Sequence, residues 1–330
     1  VVRVAPDTNK GGLMLTHTWI AQLGILVIHN DPVAEAELWT MTPPGITVHA
    51  ARFESPTSTG AEYTGSTWEH LVSSPDVSRG LQQLGQMKLS AICLCFGSAS
   101  FFGGLKFDEG FTAAATELAS GTSVYTAAQA MTSALTRLGI RRPLVVMPPW
   151  FTQPTFDATR EYLTSAGFDM AGLLQFQLDA RWDDVTRHLL FDRGGRRKVH
   201  PDEVRRQVRD NFREDADGVL IPGSGFRSWE AIAPLERELG VPVVTSNQAT
   251  LWHLLDLIKV TIRVPGGGRL FAIPLEDIES ATSPRGATRS NCAERAVAYL
   301  SRATRSPAGV ALPAAAPPMA HQALLPEERQ

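Results

Sequence analysis

Two segments of this chain end an apolar run in glycine and serine: Leu94-Cys95-Phe96-Gly97-Ser98-Ala99-Ser100-Phe101 and Val219-Leu220-Ile221-Pro222-Gly223-Ser224-Gly225-Phe226-Arg227. Backbone N–H groups and hydroxyls gathered in such a turn form a nest for an oxyanion, and a helix starting behind it adds positive potential. The ligand implied is a carboxylate or another oxyanion. Either turn alone is a weak signal, because Gly-Ser also makes ordinary tight turns. Groups able to move a proton stand beside them in kind: the thiol of Cys95, the hydroxyl of Ser224, and His29, whose ring titrates near neutral pH.

In a parallel α/β sheet, ligands collect beyond the carboxyl ends of the strands. That rule selects His29, Asn30, Cys95, Gly97, Ser98, Trp150, Gly223, Ser224 and Gly225. Arg227, just past the second turn, is placed to pair with a substrate carboxylate or with a surface acid, and Arg52 has the same two readings. Gly223-Ser224-Gly225 is not a dinucleotide fingerprint, since the third glycine would fall at Ser228. Neither serine sits in a GxSxG elbow.

The elements that must position these residues alternate. Leu23 to Ile28, Ile46 to Phe53, Ala91 to Phe96, Leu144 to Met147, Val219 to Ile221 and Val241 to Thr245 read as strands. Helical patterns are expected over Val33 to Leu38, Thr67 to Gly85, Phe111 to Ala119, Ala127 to Leu138, Asp157 to Ser165, Pro201 to Phe212, Trp229 to Leu239 and Ala249 to Ile258. Strands and helices at this spacing call for mostly parallel sheets covered on both faces. The charge-dense stretch from Arg181 to Glu214 reads as a solvated face, and Ser306 to Gln330, rich in Ala and Pro, as disordered.

With 330 residues, 43% of them hydrophobic, the chain has ample material for α/β cores, and a net charge of −3 gives no reason to expect nucleic acid or an anionic membrane as partner. No apolar run reaches a membrane span of about 20 residues, and no secretory pattern opens the sequence, so a cytoplasmic home is expected. Three cysteines, Cys93, Cys95 and Cys292, are too few for a disulfide framework and lack zinc spacing, so no metal is expected.

Leu23-Gly24-Ile25-Leu26-Val27-Ile28-His29-Asn30, the run from Pro44 to Arg52, and above all Ser246-Asn247-Gln248-Ala249-Thr250-Leu251-Trp252-His253 resemble the maleate cis-trans isomerase family. Related patterns occur in arylmalonate decarboxylase, within the wider aspartate/glutamate racemase superfamily. The resemblance covers about residues 20–272. It implies two pseudo-symmetric α/β lobes, each a mostly parallel sheet flanked by helices, with the active site in the cleft between them. The boundaries expected are an arm over 1–19, a first lobe of 20–125 plus 246–273, a second lobe of 126–245, and a partly disordered extension over 274–330. It further implies no cofactor, a small carboxylate substrate, a homo-oligomer, and chemistry at the carbon next to a carboxylate.

In the racemases and isomerases of that superfamily a cysteine from each lobe works on opposite faces of the substrate, whereas the decarboxylases need only one. This chain departs at both places. Gly223-Ser224 stands where the second lobe carries Cys-Thr, and the first lobe's Cys-Thr-Ser-Gly-Ser-Phe aligns on Phe96 or on Gly97. Cys95 takes the role only if a one-residue bulge shifts the turn. Trp150, or Phe151, replaces a tyrosine, while Asn30 matches a carboxylate-binding asparagine and His29 replaces a small residue.

The resulting expectation is a cofactor-independent isomerase or decarboxylase-like lyase working through an enediolate held by the two Gly-Ser turns. Cys95, His29 and Ser224 are its expected catalytic groups, with Asn30, Phe96, Gly97, Ser98, Ser100, Trp150, Gly223, Gly225 and Arg227 around the substrate. Two alternatives stay open. One is a diverged member performing hydration, elimination or cyclisation on a larger apolar acid of specialised metabolism, and the other is a carboxylate-binding protein without catalysis.

Overall fold

The computed structural model describes residues 20–55, 61–65 and 68–272. The expected arm over 1–19 and the extension from 274 lie outside the described residues.

Two four-stranded parallel sheets share one plan. In the first, β1 (Ala21–Ile28), β2 (Ile46–Phe53), β3 (Ala91–Leu94) and β4 (Val124–Thr126) lie in the order β2-β1-β3-β4. In the second, β5 (Pro143–Met147), β6 (Gly172–Gln175), β7 (Gly218–Ile221) and β8 (Val243–Thr245) lie in the order β6-β5-β7-β8. Around them run α1 (Val33–Met41), α2 (Pro75–Gln86), α3 (Gly97–Leu118), α4 (Ala127–Arg137), α5 (Gln153–Ser165), α6 (Pro201–Asp210), α7 (Ile232–Leu239) and α8 (Ser246–Leu257). The expected two-lobed α/β architecture is present. Its repeat extends to local detail: Thr126 with Gln129 and Thr245 with Gln248 form matching capping boxes where β4 enters α4 and β8 enters α8.

Alternation along the strands divides the interior. Ile92 and Leu94 belong to a core behind the first sheet, under α2 and α3, whereas Leu23, Ile25, Val27, Cys93 and Cys95 face a core that continues through Tyr125 and Met131 into Val219 and Leu220 of the second sheet. One apolar interior thus joins the lobes. Polar ties cross it as well. The Tyr125 hydroxyl donates to the carbonyl of Thr250 at 2.8 Å, and Asp108 accepts from Ser100, Thr126 and Tyr162 at 2.7, 2.9 and 2.6 Å.

Two helices differ from the sequence reading for stated reasons. The helix expected from Thr67 is a 3-10 turn over Trp68–Ser73 followed by α2, because Pro75 holds Ser74 extended (ψ 139°). Helix α3 begins at the first Gly-Ser turn and not at Phe111. Gly103 and Gly104 mask its first turns in the sequence pattern, and Gly104 (φ 68°) kinks it. The short strands β4 and β6 are additions to the sequence reading.

Candidate active site

The carboxyl ends of β1, β3, β5 and β7 surround a cavity of about 130 Å³. Cys95, Phe96, Gly97 and Ser98 form its first-lobe wall, with Gly223, Ser224 and Gly225 opposite and Trp150 beside them. The two Gly-Ser turns therefore converge. Gly97 and Ser98 begin α3, whose N-cap Phe96 makes no side-chain cap, so the first N–H groups have no intrahelical acceptor and the positive end of the helix meets the cavity. In the second turn the Phe226 N–H donates to the Gly223 carbonyl at 3.0 Å, which curls the chain at Ser224 and Gly225.

Cys95 reaches the wall without a bulge. The register of β3 on β1 runs unbroken from Leu23↔Ala91 to Leu26↔Leu94, and the Cys95 N–H continues it to the Leu26 carbonyl at 2.9 Å. Lying two residues after Cys93, its side chain shares that residue's face. The Ser224 hydroxyl, on the opposing turn, lies 3.2 Å from Ser246 Oγ. A hydrogen bond to Cys93, burial and nearby Asp31 push the Cys95 thiol well above its ordinary pKa, so it stands protonated.

Four other expected residues lie elsewhere. The His29 ring points out to Glu54, with Nδ1 3.3 Å from its carboxylate, and Asn30 donates to Asp192 at 3.0 Å. Ser100 is turned inward onto Asp108, and Arg227 pairs with Glu230. None of the four is part of the cavity wall. Arg52 is engaged by Glu35 at 2.7 Å.

The wall also contains residues that the sequence does not single out. Asp31, one position past Asn30, is 4% exposed, and burial raises its carboxyl above the ordinary carboxylate range despite the N–H groups of Val33 and Ala34 and the charges of Arg196 and Arg52. Tyr63, Thr152, Thr155, His188, Phe191 and Asp192 also line it. His188 to Asp192 come from the charge-dense stretch that reads as a solvated face. Trp150 packs edge-on against Phe191 and Phe226, with centroids 5.2 and 6.1 Å away, so the apolar side of the cavity is rigid.

Behind the second turn, Glu37 of α1 is buried and accepts from the Ser228 and Trp229 N–H groups at 2.6 and 2.9 Å and from Asn247 Nδ2 at 2.8 Å. Asn247 in turn donates to the Ser224 carbonyl at 2.9 Å. A first-lobe carboxyl thus holds the second-lobe turn in place. Among the described residues no His, Cys, Asp and Glu cluster is arranged to hold a metal ion, and no helix is long and apolar enough to cross a membrane.

A family model described as arylmalonate decarboxylase matches residues 61–271. The chain belongs to the arylmalonate decarboxylase family. The arylmalonate decarboxylase of Bordetella bronchiseptica is 30% identical over 202 residues, which span 59% of this chain and 75% of that protein. Among solved structures, the maleate isomerase Iso from Pseudomonas putida S16 superposes with a TM-score of 0.64 at 18% identity, covering 76% of this chain and 98% of that one. The Nocardia farcinica maleate cis-trans isomerase gives 0.62 at 19% identity over 79% and 100%. Unliganded arylmalonate decarboxylase gives 0.57 at 21% over 76% and 98%. These likenesses carry the fold of the arylmalonate decarboxylase family, and the resemblance read from the sequence is borne out. At position 223, where the resemblance read from the sequence leads one to expect a cysteine, the backbone has φ +100° and a Cβ would lie 2.8 Å from Pro148 Cγ.

Proposed function

We propose that this protein is a cofactor-independent lyase that removes one carboxylate from a carbon bearing another and then protonates that carbon from one face. The observation that carries this reading is the convergence of the two Gly-Ser turns, one from each lobe, on a cavity whose first-lobe wall holds Asp31 and whose opposing turn presents glycine at 223.

The chemistry follows from that arrangement. The N–H groups at the start of α3 and in the 223–225 turn take the retained carboxylate and stabilise the charge that spreads onto its oxygens as the enediolate forms. Phe96, Phe101, Trp150 and Phe191 offer an apolar surface to the substituent and to the departing carboxylate, which loses hydration there. Cis-trans isomerisation through an attacking thiolate is disfavoured, because Cys95 is held as a thiol. Racemisation by a cysteine on each face is disfavoured too, since the opposing turn carries Gly223.

The test is a panel of aryl- and alkyl-substituted malonates, with maleate alongside, followed by CO2 release and chiral analysis of the monoacid. Decarboxylation to one enantiomer, with maleate unchanged, is the expected outcome. Binding of the acids without turnover would instead favour a binding protein, and a racemic product would overturn one-face protonation.

A further inference from the structure

Cys95 is a poor acid for this task. Its thiol is pushed up by Cys93, by burial and by Asp31, and proton transfer to carbon is faster from an acid whose pKa lies near the working pH. The other acid of the same wall is better placed. Asp31 follows the carboxyl end of β1, next to the strand that carries Cys95. Its Oδ1 accepts the Val33 N–H at 2.7 Å and is fixed at the entry to α1. Its Oδ2 faces the second lobe: a Cβ built on Gly225 would lie 3.2 Å from that oxygen, so the carboxyl fills the space a side chain would need.

Among the described residues Asp31 forms no ion pair. Arg52 reaches only its backbone carbonyl, at 3.0 Å, and gives its charge to Glu35, while Arg196 donates to the Phe191 carbonyl at 2.9 Å and covers the Phe191 ring. Burial keeps a proton on the carboxyl further up the pH scale than usual.

We propose that Asp31 is the catalytic acid of this site, giving its carboxyl proton to the substrate carbon in place of a cysteine. The proposal rests on the lyase reading above. As the bond to the departing carboxylate breaks, CO2 leaves and the electron pair passes to the retained carboxylate as the enediolate. The Asp31 O–H bond then breaks toward the carbon, forming C–H and leaving the Asp31 carboxylate. Water entering after product release returns the proton, so each turnover consumes one proton and releases one CO2. Cys95 remains a thiol throughout.

The experiment compares the full chain with Asp31→Asn and Cys95→Ser on whichever substituted malonate the wild type decarboxylates. Asn keeps an oxygen for the Val33 N–H, so the entry to α1 is preserved. Asp31→Asn is expected to lower kcat by about 10³-fold, within the range for loss of a general acid, with KM little changed. Cys95→Ser, which changes a residue of the cavity wall, is expected to lower kcat by less than Asp31→Asn does and to keep the pH limb that depends on Asp31. The charged and titratable groups around Asp31 are Arg52 of β2, Arg196, Asp192 and His188 of the 187–198 stretch, and Cys95 following β3. Because the acid works only when protonated, wild-type and Cys95→Ser kcat should fall as pH rises through the raised value of Asp31. The residual rate of Asp31→Asn should lack that limb.

Full activity in Asp31→Asn, or a folded but inactive Cys95→Ser, overturns the assignment, and the second result decides even if Asp31→Asn fails to fold. A wild type that decarboxylates none of the malonates overturns the lyase reading itself. Turnover by the wild type with Asp31→Asn unimpaired overturns the Asp31 assignment alone.

Discussion

Gly223→Cys, which puts into the second turn the cysteine that the sequence resemblance leads one to expect, is expected to cost about 2–4 kcal/mol of stability. The backbone there has φ +100°, a region that side chains other than glycine enter at a cost, and the new Cβ would meet Pro148 Cγ at 2.8 Å. Proline is a rigid neighbour and its ring follows the end of β5, so the turn rather than the ring must shift. For a unit of this size the loss corresponds to a fall in Tm of about 5–15 °C. Gly97→Ala is the control, because its Cβ would lie 3.6 Å from Phe101 Cζ, an ordinary contact, and its φ is unexceptional. Melting curves of the two variants decide the matter. Equal Tm values would mean that the 223 turn accepts a side chain freely, and the missing cysteine would then need no structural accompaniment.

Glu37→Ala should have an effect of similar or larger size, about 3–5 kcal/mol, because it strands three buried donors: the N–H groups of Ser228 and Trp229, and Asn247 Nδ2. Since Asn247 also holds the Ser224 carbonyl, ligand binding at the second turn should weaken in parallel. The same carboxyl gives stability a pH dependence of known sign. Burial raises Glu37 from 4.5 to about 7. A raised carboxyl binds its proton more tightly in the folded state, so its contribution is fully present below 4.5 and is lost as pH climbs to about 7. A shift of that size corresponds to about 3 kcal/mol across the window. Glu37→Gln removes the titration, so the difference in stability between wild type and this variant should change across the window and be level above it. A difference independent of pH would show that folding leaves the Glu37 pKa where it is in the unfolded chain.

The lobes and both oxyanion turns are legible in the sequence because their signals are local. Continuous β-branched runs ending in Gly-Ser depend on neighbours in sequence alone. What escapes depends on which way a loop turns. His29, Asn30 and Asp31 are consecutive polar residues after the same strand, and composition does not rank them. In the fold the first goes to Glu54, the second to Asp192, and only the third enters the cavity. Ser100 resembles a ligand group beside Ser98, yet helical geometry swings it away onto Asp108. Family alignment alone would bring Cys95 to the cleft only through a bulge. Simple alternation from Cys93 suffices.

The interior shared by both sheets bears on how a ligand is met. Ile25, Tyr125, Met131 and Leu220 belong to one continuous packing unit, so the two sheets have no free seam along which to swing apart. The site behaves as a mould and not as a jaw. Its opposing turns are brought to their spacing when the chain folds, and the ordering cost is met then, before any ligand arrives. On the proposed lyase reading, discrimination among acids would fall on fit against the Trp150 and Phe191 wall rather than on closure around the substrate.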